Sequence, residues 1–318
     1  MREVVAALLL VYAVVIAEAS TRWLPRASWP LRVPRAGIAA WQAAALSIAT
    51  STVAAGLVLA VPCIRVSADL AALRACLSLM REQYATPQGA VAGAAGGVLA
   101  LGVLGRIIWS TGMVMVDARR RRASHDDALA LIARPVSIPG VRIIDDDQAA
   151  VYCVPGRRRI VLTTGALRCL NDRQLDAVLA HERAHLSERH HLVLTFAAAL
   201  RRAFPAIRFF AVAAHQVSDL IEAAADDAAV RREHRLTLAG ALLAVATAGI
   251  PAGALGAGGT TAAQRIQRLI DPPHPTTRTR RAITSAALIT ATVLILATPV
   301  LALTVMTRCP PAHYALSW

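Results

Sequence analysis

The stretch HERAHLSERHH, from His181 to His191, decides how the rest of the chain is interpreted. Its first five residues form an HExxH pattern, with a glutamate directly after the first histidine. His191 follows at the position where one group of HExxH proteins has a third metal ligand. The surrounding sequence must therefore indicate whether the third ligand is His191 or a residue elsewhere.

The HExxH pattern lies in a predicted helix. Asn171 is typical of an N-cap, and Gln174 three residues later would complete a capping box before a long helical pattern. Successive residues of an α-helix are about 100° apart, so His181 and His185 would lie one turn apart on one face. Both imidazoles could then reach one metal ion, and Glu182 beside them could deprotonate a water molecule on it.

The residues before the pattern indicate a buried helix rather than a solvated run of surface charges. Leu175, Val178 and Leu179 recur at helical spacing. Charged groups on a buried helix need partners, and a metal ion would supply one. A chance HExxH in a chain of this composition is expected in roughly one sequence in a hundred.

His191 is not predicted to be the third ligand. Proteins with a ligand at this position need a glycine three residues after the second histidine, to turn the chain back. Glu188 stands there and favours a helix, which is therefore predicted to continue through His190 and His191. His191 would then lie about 15 Å along the axis from His181. Both later histidines are interpreted as packing or interfacial residues.

A second predicted helix offers a candidate third ligand. Within residues 215–234, Glu222 and Asp226 would lie one turn apart on the same face. Glu222 could complete a site of two histidines and one glutamate, and Asp226 could accept the second ring N–H of His181. On spacing alone, both could equally be surface carboxylates. That interpretation is given to three nearby acids: Asp219, Asp227 and Glu233.

The composition is that of a membrane protein. Hydrophobic residues make up 56% of the 318 residues and charged residues 17%, and the mean hydropathy is +0.50. Much of the chain must therefore lie in lipid. The net charge of +14 does not indicate a nucleic-acid partner, because only 4% of residues are aromatic and the arginines lie beside apolar runs.

Four segments are predicted to span the membrane: 4–17, 37–62, 90–116 and 282–306. The first is short and could instead be a signal peptide. Arginines cluster in 20–35, 119–122 and 278–281, and if all three sites face the cytoplasm the first segment must be a true span. Arg106, the only charge of the third span, is expected to snorkel to the headgroups.

Other apolar runs and the cysteines fit this topology. Residues 192–214 and 236–258 are interrupted too early to span, and are interpreted as buried or membrane-surface helices. Cys63 and Cys76 would lie outside, where a disulfide or two free thiols are both conceivable, as would Cys309. Cys153 and Cys169 would lie inside and stay reduced.

A small sheet is predicted before the HExxH helix. β-branched residues are frequent in 141–144, 149–154 and 159–163, with a Pro155-Gly156 turn signal between the last two. The strand 159–163 could hold an extended peptide at an open edge.

These features resemble a known family. HERAH, followed about forty residues later by EAAAD at 222–226, is similar to the gluzincin pattern HExxH…ExxxD. The stretch VYCVPGRRRIVLTTGALRCLNDRQLDAVLAHERAHLSERHH resembles membrane metallopeptidases of the β-lactam-sensing antirepressor family, whose relatives include heat-shock and prenyl-protein membrane proteases. That family has four spans, with a cytoplasmic zinc domain between the third and fourth.

The resemblance implies a site and a fold. One zinc ion would be bound by His181, His185 and Glu222, with Glu182 as base and Asp226 supporting a ligand. The fold would be a multi-span α-helical membrane protein with a mainly α (α+β) gluzincin-type zinc metallopeptidase domain. Its parts would be three spans in 1–116, the cytoplasmic metallopeptidase domain in 117–281, a fourth span in 282–306 and an extracytoplasmic tail in 307–318.

The resemblance also implies partners. The substrate would be a protein, such as a transcriptional repressor, or damaged membrane proteins as for the heat-shock relatives. His274, with Arg278 and Arg280, resembles an HP…R segment that helps to hold substrate or oxyanion, although the arginines are equally explained as membrane anchors. Antirepressor sensors carry a penicillin-binding domain after the fourth span, where this chain has only 307–318. A signal is therefore expected through the spans, the loop 64–89 or a sensor partner.

Two other functions stay open. A scaffold that holds a structural metal would have no need of Glu182 beside its ligands. Transport is disfavoured because the spans contain few polar residues to line a path.

Overall fold

The structure, a computed structural model, describes residues 2–61, 70–155, 158–248, 259–272 and 297. Within these ranges the chain is mostly helical and has one small sheet. The predicted fourth span lies outside the described residues, as do His274, Arg278 and Arg280. Cys63 lies outside them too, so the conceivable Cys63–Cys76 pairing stays a prediction.

The N-terminal part is helical. Its helices are α1 (Arg2–Trp23), a 3₁₀ turn (Leu24–Arg26), α2 (Trp29–Arg32), α3 (Pro34–Ala60), α4 (Leu70–Ala85) and α5 (Pro87–Ile132). Among the described residues, three segments are long and apolar enough to cross a membrane: Arg2–Arg26, Pro34–Ala60 and Pro87–Ile132. They contain the predicted spans 4–17 and 90–116 and cover the predicted span 37–62 up to Ala60. The first helix is longer than the predicted run of 4–17, so its length is sufficient for a crossing.

Helix α3 packs between α1 and α5. Its crossing with α5 depends on two glycines: a Cβ at Gly56 would lie 2.6 Å from the Gly96 carbonyl oxygen, and a Cβ at Gly96 would lie 2.5 Å from that of Gly56. Small residues allow such close backbone approach between membrane helices. The opposite face of α5 leaves Val98 and Trp109 about 70% exposed, as expected of a lipid-facing surface.

Helix α5 continues far beyond its predicted span. Its 46 residues measure about 69 Å, roughly twice the thickness of the hydrocarbon layer, and its C-terminal end reaches the sheet, where Leu129 packs with Val154 and Val161. The Nε of Arg106 donates a hydrogen bond to the carbonyl oxygen of Ala203, the last residue of α8, and the snorkelling of Arg106 to the headgroups stays a prediction. The final carbonyls of a helix have no partner within it, which explains this contact.

The sheet has four strands: β1 (Arg134–Pro135), β2 (Val141–Ile144), β3 (Val151–Val154) and β4 (Arg159–Thr163). Their order is β1-β2-β4-β3, with β2 and β4 parallel and the other pairs antiparallel. The predicted strands 141–144 and 159–163 are confirmed, and the predicted strand 149–154 is present from Val151. The prediction of an open edge at 159–163 is wrong, because β4 lies between β2 and β3. The outer strand beside the following helices is β3.

Six helices complete the described chain: α6 (Thr164–Cys169), α7 (Asp172–Ser187), α8 (His190–Ala203), α9 (Arg208–Val230), α10 (Arg235–Ala248) and α11 (Gly259–Ile270). The predicted capping box of Asn171 and Gln174 is present at the start of α7. The prediction that α7 continues through His190 and His191 is wrong. Helix α7 ends at Ser187, and Arg189 has a left-handed backbone with φ 52°.

Neither of the two apolar runs between the predicted spans forms one continuous helix of its own in the described residues. Residues 192–214 belong to α8 and α9 and are interrupted between Ala203 and Arg208, while 236–248 belongs to α10. Helix α9 packs on α3, where Trp41 and Phe209 are fully buried with ring centroids 5.7 Å apart. This contact joins the second candidate span to the helix that carries Glu222 and Asp226.

Candidate metal centre

The candidate ligands come from two adjacent helices. His181 and His185 lie on α7 and Glu222 on α9, and each presents a donor atom within 4.8 Å of the other two. Small residues allow the helices to approach: α7 buries Ala177, Ala180 and Ala184, and α9 buries 223–225. The predicted convergence of the three side chains is therefore present in the structure.

The spacing of the donor atoms fits a zinc ion. His181 Nε2 lies 3.1 Å from His185 Nε2, and each of these nitrogens lies 3.5 Å from an oxygen of Glu222. Tetrahedral zinc with bonds of about 2.0–2.2 Å needs ligand atoms about 3.3–3.5 Å apart. Two imidazoles and one carboxylate, with a fourth position open, are also the donor set of catalytic zinc sites.

Glu182 lies beside these ligands on α7 and is buried. Burial raises the pKa of its carboxyl, because the charged form loses hydration, although the nearby His181 and the Cys153 thiol partly oppose the shift. A raised pKa suits a group that must both accept and return a proton near neutral pH. Cys153 is on β3, so this contact brings the outer strand of the sheet next to the site.

Asp226 is fully buried one turn after Glu222 and faces His181. Its Oδ1 lies 3.0 Å from His181 Nδ1, which is within hydrogen-bond distance, although the ring is not turned for a well-directed bond. This is the partner that the sequence predicted. By occupying Nδ1, it leaves Nε2 of His181 facing the other two ligands.

Arg265 on α11 is part of the site and was not predicted. Its guanidinium donates to both oxygens of Asp226, at 2.7 and 3.0 Å, and its Nη1 lies 2.9 Å from Glu222 Oε2. Its Nη2 lies 3.4 Å from His181 Nε2. A guanidinium has no lone pair to offer a metal, so it balances the charge of the two carboxylates and competes with a bound cation.

The protonation states follow from these contacts. Burial disfavours the charged form of His181, but the carboxylates of Asp226 and Glu222 outweigh it and raise its pKa to about 9. Burial and the charge of His181 lower the pKa of His185 to about 4. For Asp226, the contacts with His181 and Arg265 outweigh burial and lower the pKa to about 2. In the metal-free site at neutral pH, the imidazole pair therefore carries one positive charge, on His181.

The other predicted residues are placed as follows. His190 is buried, as expected of a packing residue, but its Nδ1 lies 3.0 Å from Nδ1 of His185. Asp227 is a partly exposed carboxylate, 2.7 Å from Arg268 of α11. Asp219 lies 3.6 Å from His215 one turn before it. His274 lies outside the described residues, so its contribution stays a prediction.

Comparison with known proteins connects this geometry with an activity. The family model described as peptidase family M48 matches residues 117–265. Proteins named "Protease HtpX homolog" from Burkholderia mallei (strain SAVP1) and Burkholderia pseudomallei (strain K96243) are each 35% identical to this chain over 78 residues. This alignment covers 24% of this chain and 27% of each relative, so the chain spans about a quarter of the length of these relatives.

No solved structure matched the chain. The narrower resemblance to the antirepressor family stays a prediction. Together with the two-histidine, one-glutamate cluster, the family model and the curated relatives support a metallopeptidase of the membrane type.

Proposed function

We propose that this protein is a zinc-dependent endopeptidase of the cell membrane that hydrolyses peptide bonds on the cytoplasmic side. The observation that carries the proposal is the convergence of His181, His185 and Glu222, at distances that suit one zinc ion, directly beside the buried Glu182. A site with only a structural purpose needs no carboxylate of this kind next to its ligands.

The chain's own residues supply the proton transfers. Zinc, when bound to the three ligands, acts as a Lewis acid that makes a water molecule acidic near neutral pH. Glu182 accepts a proton from the attacking water and then gives it to the nitrogen of the leaving amine. Its raised pKa makes Glu182 a stronger base, which favours the first transfer. Asp226 holds His181 through Nδ1, so that Nε2 stays available to the ion.

Strand β3 is the proposed binding site for the peptide. In the described part of the chain β3 pairs only with β4, and Cys153 of β3 contacts Glu182. A substrate added to the other edge of β3 as an extended strand would therefore pass close to the proposed base. Pairing through the backbone is tolerant of sequence, which suits an endopeptidase.

Two substrate classes are compatible with this site. A transcriptional repressor or another regulatory protein is the substrate that the antirepressor resemblance implies, with a sensor partner supplying the signal. Damaged membrane proteins are the substrate class that the resemblance to the heat-shock relatives implies. These classes can be separated by mapping new protein N-termini in cells that carry the wild type or Glu182→Gln. Cleavage of one regulator only by the wild type would indicate the regulatory class, and cleavage of many membrane proteins would indicate the other class.

The activity itself is tested on the full chain purified in detergent. Glu182→Gln should keep zinc and lose about 10²–10⁴-fold of the cleavage rate of an unfolded protein such as casein, because only the base is removed. His185→Ala should lose both zinc and cleavage. Glu233→Gln is the matched control and should change neither zinc binding nor cleavage, because Glu233 is a partly exposed carboxylate just after α9. Equal cleavage by Glu182→Gln and the wild type would indicate a non-catalytic scaffold.

A further inference from the structure

We propose that His190 positions the metal ligand His185, and that Glu188 and Arg35 hold His190 in turn. This inference rests on the proposed zinc site. It concerns residues that neither the HExxH nor the ExxxD pattern contains, and it connects the ligand His185 with the first turn of a candidate membrane span.

The break between α7 and α8 makes the contact possible. Five residues of continuous helix would place His190 about 140° around the axis from His185, facing away from it. Instead α7 ends at Ser187, and Arg189 adopts φ 52° before α8 begins at His190. This turn returns the imidazole of His190 to His185, with ring centroids 4.9 Å apart. A left-handed arginine is unfavourable by itself, so contacts elsewhere must hold it there.

The hydrogen-bond pattern fixes which nitrogen of His185 faces the metal. Nδ1 of His190 lies 3.0 Å from Nδ1 of His185, so one of these atoms must donate and the other accept. Nε2 of His190 lies 3.3 Å from the Glu188 carboxylate, which can only accept, so the ring proton of neutral His190 belongs on Nε2. Its Nδ1 then accepts from Nδ1–H of His185. The remaining lone pair of His185, on Nε2, faces His181 and Glu222.

Both histidine ligands therefore have a partner behind the ring. His181 has Asp226, and His185 has His190, which is only 4% exposed. Such partners fix the tautomer and the ring orientation of a metal-bound histidine, and their loss commonly weakens metal binding by about 10–100-fold. A residue that only filled space would need no nitrogen at this point.

Arg35 extends the contact to the membrane part. Its guanidinium makes two hydrogen bonds with the carboxylate of Glu188, one from Nε at 2.9 Å and one from Nη2. Arg35 is the second residue of α3, a helix long and apolar enough to span the membrane. The side chain of Arg35 is 52% exposed, so its own contribution is small.

The test uses the full chain in detergent on the Glu182→Gln background, which prevents self-cleavage, with Zn²⁺ and a competing chelator as the probe. His190→Phe keeps a ring but removes both nitrogens, and should weaken zinc binding by about 10–100-fold. His190→Asn keeps an acceptor near His185 Nδ1 and should stay within about threefold of the parent. His191→Phe, the same change at the next residue, is the control and should bind as the parent does.

The absorption bands of the Co²⁺-loaded protein give a second measurement, since they report the geometry of the ligands. They should change for His190→Phe and be restored for His190→Asn. Zinc binding by His190→Phe equal to that of the parent, or an equal loss for both His190 variants, would overturn the inference. If His190→Phe does not fold when metal-free, Glu188→Ala decides: weaker zinc binding supports the inference, and parental binding overturns it.

The link to α3 is measured separately. Arg35→Ala should weaken zinc binding by up to about fivefold, the range of an exposed ion pair, and Arg32→Ala by nothing. Equal affinities for these two variants would remove Arg35 from the proposal. A parent protein that binds no zinc would contradict the proposed function, whereas a parent that binds zinc with unchanged affinity in the His190 variants would contradict only the role of His190.

Discussion

Asp226→Asn is the substitution for which the structure gives the clearest expectation. The carboxylate is fully buried, accepts two hydrogen bonds from Arg265 and lies 3.0 Å from His181. Asparagine keeps the shape and removes the charge. Breaking a buried ion pair from one side costs about 3–5 kcal/mol, because the remaining charge is left without a partner. Arg265 keeps Glu222 as a partner and is 20% exposed, so we expect a smaller loss of about 2–3 kcal/mol.

The loss should appear in two measurements. For a domain of this size 1 kcal/mol corresponds to about 2–4 °C, so the melting temperature of the metal-free protein should fall by about 4–12 °C. Zinc affinity, measured against a chelator, should fall by about 10–100-fold, because His181 loses the group that holds its tautomer.

Asp227→Asn provides the matched control. It is the next residue of α9 and also pairs with an arginine of α11, Arg268 at 2.7 Å, but its side chain is 39% exposed. Such a pair contributes about 0–1 kcal/mol, so the melting temperature should fall by no more than about 4 °C and zinc affinity should not change. If the Asp227 variant is as damaging as the Asp226 variant, burial is not the reason for the effect.

The same pair has a pH signature in the metal-free protein. The folded-state pKa of Asp226 is about 2, below its ordinary value of 3.8, so its carboxylate stabilises the fold above about pH 4. That contribution is lost as the pH falls through the folded pKa. The difference in melting temperature between wild type and Asp226→Asn should therefore be largest between about pH 4 and pH 6.5 and shrink below pH 4. It should also shrink as the pH rises from 6.5 through about 9, because Asp226 raises the pKa of His181 and this contribution is lost when His181 loses its proton. A difference that grows as the pH falls below 4 contradicts this reasoning.

Two further expectations concern the Cys153 thiol and the first turn of α6. Burial, with the adjacent Glu182, raises the pKa of the Cys153 thiol from 9.0 to about 12. Alkylation of this thiol at pH 8 should therefore be up to about 1,000-fold slower in the native protein than in the SDS-unfolded protein. Comparable rates would mean that the thiol is not enclosed. Gly165→Ala should reduce the free energy of unfolding by about 1–3 kcal/mol and so lower the melting temperature, because the new Cβ would lie 2.2 Å from the carbonyl oxygen of Asp147. Gly105→Ala, with no neighbouring atom within 4 Å, should leave it unchanged or higher.

Local signals made parts of this site predictable. The capping box at Asn171 involves residues three apart, and the spacing of His181 and His185 depends only on helical period, so both could be read from sequence. The pairing of α7 with α9 is long-range, and it was predicted because four residues also separate Glu222 and Asp226 and because the pattern resembles a known family. Hydropathy located the apolar runs for a similar reason, since lipid selects composition directly.

The missed features depend on partners far away in sequence. Glu188 favours a helix by itself, but Arg35, 153 residues earlier, and His190 hold it at the end of α7. Arg265 lies 84 residues after His181, and its only sequence signal was an arginine on the apolar side of α11, beside Ile266 and Leu269. Propensity contains no information about such contacts, so the break in α7 and the cation in the site required coordinates.

The two histidine ligands are held by different parts of the molecule. Asp226 shares α9 with Glu222, so the partner of His181 and the third candidate ligand move as one rigid helix. His190 belongs to α8 and is tied through Glu188 to α3, so the orientation of His185 depends on how that candidate span sits against the domain. A zinc ion bound to all three ligands would favour the arrangement of α7, α8 and α9 in which the three donor atoms converge, since a ligand stabilises the state that binds it. By the same linkage, a displacement of α3 that pulls Glu188 away from His190 must lower zinc affinity through His185 and leave His181 in place.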